Sequence, residues 1–135
     1  MALGGEDEAG QSLNEVELMD PRRPGIGWKV VPKWRMRRSV SEGCSVVTRD
    51  PGLGPQVMMI GGRGQGRRVS KLVLKTGQWV SVAPMKQARH QHACNAITLN
   101  GRPGVVVSGG LGGNSSSVEF WDMKTNKVSS MTSSS

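Results

Sequence analysis

The sequence predicts an all-β chain assembled from a unit of about 50 residues, and three observations carry that expectation. The first is a doubled pattern. Val57-Met58-Met59-Ile60 stops at Gly61-Gly62, Val69 opens a second apolar run, and Lys75-Thr76 leads to Trp79. Further on, Val105-Val106-Val107-Ser108 stops at Gly109-Gly110, Val118 opens a second run, and Lys124-Thr125 leads to Val128. The second is spacing, since the glycine pairs are 48 residues apart while Val69 to Val118, Thr76 to Thr125 and Trp79 to Val128 are each 49 apart. The third is the period inside the runs: Leu72 and Leu74 share one strand face while Val73 takes the other with Lys71 and Lys75, an alternation of two that belongs to strands.

Self-similarity at this length, built from short strands, is the signature of a propeller blade. The order of an apolar run, a double glycine, a variable loop, a strand, a polar turn, Trp79, then Met85 and Arg89 resembles the kelch-repeat family. The resemblance runs from Trp28 to Val128, and it departs from the family in lacking a tyrosine between glycine pair and turn and in having Val128 where a second tryptophan belongs. It implies an incomplete kelch-type β-propeller of two four-stranded blades plus part of a third, occupying residues 25–128 with repeats near 28–78 and 79–128. Gly61, Gly62, Trp79, Gly109 and Gly110 are then structural repeat residues.

Residues 1–24 carry Glu6, Asp7, Glu8, Glu15, Glu17 and Asp20 and no basic residue before Arg22; one-signed charge with few apolar side chains predicts a disordered acidic tail. From Trp28 to Val47 a worn partial copy aligns Trp28, Pro32, Met36, Arg38 and Cys44 with Trp79, Pro84, Met85, Arg89 and Cys94 at offsets of 49 to 52. Cys44 to Val47 reads as a strand and Asp50-Pro51-Gly52 as a turn. Lys75 to Gln78 is a hairpin turn, and Ala83 to Ala88 is a loop. Asn100-Gly101 signals a hairpin that Arg102-Pro103-Gly104 lengthens beyond two residues. Leu111 to Ser117 is a loop, and the Ser-rich end 129–135 is expected to lack order.

Three motifs suggest chemistry and do not carry it. Gly61 to Gly66 looks like a phosphate loop but lacks the dinucleotide spacing, a Walker lysine and a following helix. His90, His92 and Cys94 share a strand face at a period of two, yet no fourth zinc ligand is evident. Cys44 and Cys94 occupy equivalent repeat positions, so they are expected to point the same way and a disulfide is improbable. No catalytic triad can be assembled, and with no tyrosine in the chain the copper and tyrosyl-radical chemistry of galactose-oxidase-like propellers is excluded. No enzyme activity, metal or other cofactor is expected.

A closed propeller takes about 4 to 8 blades, and 135 residues do not suffice. Either the chain is part of a longer product, which the geometry favours, or copies self-associate to complete a ring. The first residues lack the basic and apolar regions of a signal peptide, and no apolar run reaches membrane-spanning length, so a cytoplasmic location without membrane contact is expected. Residues 21–135 hold all 18 basic residues and 4 of the 10 acidic ones, a formal +14. If blades pack as the resemblance implies, Arg37, Arg38, Arg63, Arg67, Arg68 and Arg89 form a basic rim that binds a protein partner through an acidic peptide. The resemblance further implies substrate recognition for a cullin-type ubiquitin ligase or an actin-associated scaffold. The alternative is nucleic-acid binding through the Gly/Arg-rich loop, disfavoured because the tryptophans sit at repeat positions and not among the arginines.

Overall fold

The computed structural model describes residues 1–112 and 116–131, and these form three antiparallel sheets. The first holds β1 (Ala2–Leu3), β2 (Val16–Leu18) and β3 (Lys29–Val30). The second holds β4 (Cys44–Asp50), β5 (Gly54–Ile60), β6 (Val69–Val73) and β7 (Gln78–Ser81), and the third β8 (Ala93–Leu99), β9 (Arg102–Ser108), β10 (Val118–Asp122) and β11 (Lys127–Met131). Each sheet follows chain order strand by strand. Apart from two 3-10 turns at Pro24–Ile26 and Pro32–Trp34, the described residues contain no helix, and none of it is long and apolar enough to cross a membrane.

Local chemistry sets the turns. The Asp50 carboxylate accepts the N–H groups of Gly52 and Leu53 at 2.8 and 3.1 Å, closing the β4–β5 hairpin. Asn100 and Gly101 have φ of 51° and 76°, the left-handed pair a two-residue hairpin needs. Leu99 pairs with Arg102 and Thr98 with Pro103, so the turn is two residues long and not lengthened as expected. Pro103 sits within the strand because its carbonyl still accepts Met123 N–H at 3.0 Å.

Register divides each sheet into two faces. One face of the second sheet presents Val46, Met58, Ile60 and Val69, and these pack with Val105, Val107 and Trp121 of the third sheet and with Met85 from the connector. The opposite face presents Met59 and Trp79, which pack with Val16, Leu3, Met36, Val40 and Trp34. Where the second sheet pairs Leu72 with Trp79, the third pairs Trp121 with Val128. The large side chain has moved across the pair to the neighbouring strand, which accounts for the missing second tryptophan.

The expected disordered acidic tail is therefore corrected. Val16 has no exposed surface, and Leu3 and Val16 pack with Met59 and Trp79 of the second sheet while Glu6, Asp7 and Glu8 are exposed. Backbone hydrogen bonds reveal this segment as a third copy of the unit. Gly4, Val31 and Met36 donate to Glu15, Val16 and Asn14, as Gly61, Val82 and Met85 donate to Arg68, Val69 and Arg67. Gly5 N–H meets the Val40 carbonyl at 2.8 Å, as Gly62 N–H meets that of Arg89 at 2.9 Å. Gly4 and Gly5, with φ of 63° and 101°, thus correspond to Gly61 and Gly62, with φ of 61° and 120°. The glycines are needed because a Cβ on Gly61 would lie 2.6 Å from the Arg89 carbonyl, and one on Gly62 would lie 2.8 Å from Val40 Cγ1.

This correspondence also corrects the cysteines. Cys44 pairs across its sheet with Ile60, whereas Cys94 pairs with Val107. Ile60 is next to its glycine pair and Val107 is one residue further away, so the two cysteines are one position out of step. A one-residue slip moves a side chain to the other face, and Cys44 and Cys94 consequently face each other between neighbouring sheets. They form a disulfide with a Cα–Cα distance of 6.1 Å. At the C-terminal end, Ser129, Ser130 and Met131 belong to β11 and are not without order; residues 132–135, and residues 113–115 of the Gly/Ser loop, lie outside the described residues.

Candidate functional site

The six arginines assigned to a partner-binding rim divide. Arg89 is 2% exposed, with Nη2 at 3.1 Å and Nε at 3.2 Å from Glu119 Oε2. It also donates to the Gly109 carbonyl at 2.8 Å and to Ser117 Oγ. Its assignment to the rim is corrected, because the connector carries Arg89 beneath the Gly109 turn before entering β8 and the guanidinium is the cation of a buried pair. Glu119, 1% exposed, also accepts N–H groups from Lys86 and, at 3.2 Å, Gln87. The sequence marked Arg89 as a repeat and rim residue, and nothing in it marked Glu119 as its partner.

Arg37, Arg38, Arg63, Arg67 and Arg68 are exposed. Gln65 reaches from the Gly/Arg loop to donate to the Ser39 carbonyl at 3.0 Å, and Arg63 N–H meets the Ser41 carbonyl at 2.9 Å. These two bonds hold the loop against the 36–41 connector. Between them opens a cleft of about 510 Å³, with Arg37, Arg38 and Arg68 on its walls and Met36, Val40, Met59 and Trp79 as its apolar lining. The Trp79 indole N–H is fixed by the Trp34 carbonyl at 2.8 Å. Arg67 lines a shallower hollow beside Pro84, reached from the same loop, and Arg63 lines neither.

Among the described residues no carboxylate forms an ion pair with the arginines of the cleft. Among the described residues Glu119 is taken by Arg89, Asp122 by Arg102 at 2.6 Å, Asp20 by Arg22, and Glu42 lies 3.8 Å from His90. Arg37, Arg38 and Arg68 form no ion pair among those residues, so the cleft has a positive mouth above an apolar floor.

The His90, His92 and Cys94 trio is not brought together. Cys94 is in the disulfide, His90 faces Glu42, and His92 Nε2 lies 2.8 Å from the Ile60 carbonyl. A carbonyl only accepts, so Nε2 carries the proton and Nδ1, buried without a partner among the described residues, does not. Burial holds the His92 pKa below its ordinary 6.5, the Arg89 charge acting in the same direction and the Ile60 hydrogen bond opposing. A depressed folded-state value means that the unfolded chain takes up the proton first. The stability His92 contributes is therefore full above 6.5 and is lost as pH falls through the folded-state value. Urea midpoints at about pH 7.5 and about pH 5.5 should differ less in His92→Gln than in the native chain; equal differences would mean that His92 is not the titrating group.

Comparison with known proteins supports the fold alone. No family model matches the chain, and no curated protein matches it. A solved structure that does match is a novel fungal alcohol oxidase with catalytic diversity among the AA5 family, in complex with copper, at a TM-score of 0.62 and 16% identity. The match covers 93% of this chain and 25% of the oxidase, so the chain spans about a quarter of that protein. Among the described residues no group of three His, Cys, Asp or Glu side chains is placed to hold a metal.

Proposed function

We propose that the chain is a protein-interaction module of kelch-repeat type, taking an acidic segment of a protein partner at the edge formed by Arg37, Arg38, Arg63, Arg67 and Arg68. The observation that carries this reading is the cleft where three exposed, unpaired guanidiniums surround an apolar lining. Arginine forks pair carboxylates bidentately, and an apolar floor takes the side chain between them. Within this class, substrate recognition for a cullin-type ubiquitin ligase and actin-associated scaffolding are the roles the kelch resemblance implies. No catalytic role is proposed, and the likeness to the oxidase brings no activity to this chain. The Cys44–Cys94 disulfide favours an oxidising compartment over the cytoplasmic location expected from the sequence, because cytosolic thiol pools keep such pairs reduced.

The formal +14 of residues 21–135 also suits nucleic acid, and one titration separates the two. A labelled peptide of about ten glutamates should bind the native chain, and Arg37→Ala/Arg38→Ala/Arg68→Ala should weaken it about tenfold or more. Unchanged affinity would refute the site. A single-stranded oligonucleotide binding more tightly, with a steep loss of affinity on raising salt, would favour nucleic acid.

A further inference from the structure

The first and second sheets meet on the same backbone plan as the second and third, and two of the side-chain differences decide what lies between them. Glu119 pairs with Val107 just before Gly109, as Ser70 pairs with Met59 just before Gly61. Arg89 offers its carbonyl to Gly62 as Val40 does to Gly5. Counting back from these, Arg37 and Arg38 stand where Lys86 and Gln87 stand. In the later interface the Glu119 carboxylate fills the centre, held by the N–H groups of Lys86 and Gln87 and by the Arg89 guanidinium. In the earlier one Val40 and Ser70 stand in place of Arg89 and Glu119 and are too short to fill it. The vacated space is the cleft, lined by Arg37, Arg38, Val40, Gly61 and Ser70. Among the described residues the backbone N–H groups of Arg37 and Arg38 have no hydrogen-bond partner.

We propose that this cleft is a receptor for one glutamate side chain of a partner polypeptide, which takes the place that Glu119 occupies in the neighbouring interface. The proposal rests on the interaction-module reading and specifies its ligand. The carboxylate accepts the N–H groups of Arg37 and Arg38, while the guanidiniums of Arg37, Arg38 and Arg68 supply the cation that Arg89 supplies to Glu119. The aliphatic stem lies against Met36, Val40, Met59 and Trp79. A carboxylate is favoured over a phosphate because the template on the same backbone is a planar, two-oxygen group accepting from two consecutive amides.

The test uses the full chain and two capped pentapeptides, Ac-Ala-Leu-Glu-Leu-Ala-amide and its glutamine counterpart. The glutamate peptide should shift the Arg37 and Arg38 amide resonances and bind roughly tenfold more tightly than the glutamine one. Ser70→Glu should abolish that binding by placing the chain's own carboxylate on the same amides. Val40→Arg/Ser70→Glu rebuilds the whole pair, so it should block the peptide and raise the melting temperature, which guards against simple misfolding of the single variant. Equal affinity for both peptides, or full binding by a folded Val40→Arg/Ser70→Glu chain, would overturn the proposal. So would inorganic phosphate or an oligonucleotide shifting the two amides more strongly than the glutamate peptide does. If the pentapeptide fails on the native chain while the ten-glutamate peptide binds, the receptor is refuted and the module reading stands; if both fail, both are refuted.

Discussion

Replacing Arg89 by alanine is expected to lower the unfolding free energy by about 3–5 kcal/mol, the usual cost of leaving one member of a buried ion pair without the other. Glu119 would keep only its two backbone donors while remaining 1% exposed. Glu119→Ala should cost as much, since it strands a guanidinium that is 2% exposed. The double variant Arg89→Val/Glu119→Ser copies Val40 and Ser70 from the earlier interface, removing both charges at once. It should be more stable than either single variant, a non-additivity that identifies the pair as one unit. Urea denaturation reads all four proteins, and single variants losing less than about 1 kcal/mol would show that the pair behaves as a solvent-screened one.

Cys44→Ser/Cys94→Ser is expected to cost about 4 kcal/mol on the chain-entropy account of a cross-link, because the bridged residues are 50 apart in sequence. Dithiothreitol should lower the melting temperature of the native chain toward that of the variant and leave the variant unmoved. Alkylation followed by mass measurement should find no free thiol before reduction, as the described residues hold no free cysteine. Two alkylated cysteines in the unreduced native chain, or a melting temperature indifferent to reductant, would show that sheet packing alone holds the two strands together.

The strands of the second and third sheets were legible in the sequence because each apolar run ends at a glycine pair and alternates with a period of two. The first sheet was hidden. Its strands are two or three residues long, Gly4 and Gly5 sit in an acidic stretch, and the 57 residues from Gly4 to Gly61 exceed the 48 between the later pairs. Length varies in the hairpins, where it is inexpensive, so a fixed spacing misses the copy while the hydrogen bonds recover it. The cysteine error has the same origin: an offset of 50 in place of 49 changes the face. Arg38 was matched to Arg89, but the backbone matches Val40 to Arg89, and that shift of two hid both the buried pair and the cleft left by its absence. Five of the six rim arginines are exposed and three meet in one place, which clustered charge in loops already suggested.

The disulfide gives the second and third sheets a spine. It joins β4 and β8, each the first strand of its sheet with one edge unpaired within it, and the Gln91 N–H to Glu42 carbonyl bond of 2.8 Å binds the same margin. Nothing covalent links β7 to β11 at the far margin, where Val128 is only half buried. The Ala83 N–H to Asn126 Oδ1 bond of 3.0 Å is a weaker fastening there, so the two sheets are expected to separate as the covers of a book do, opening from β7 and β11 about a hinge along β4 and β8. Water then reaches Val128 and Trp121 before it reaches Met58 and Ile60, so indole fluorescence should report the opening while the amides of β4 and β8 still resist exchange. Simultaneous loss of both signals would mean that the sheets part as a block.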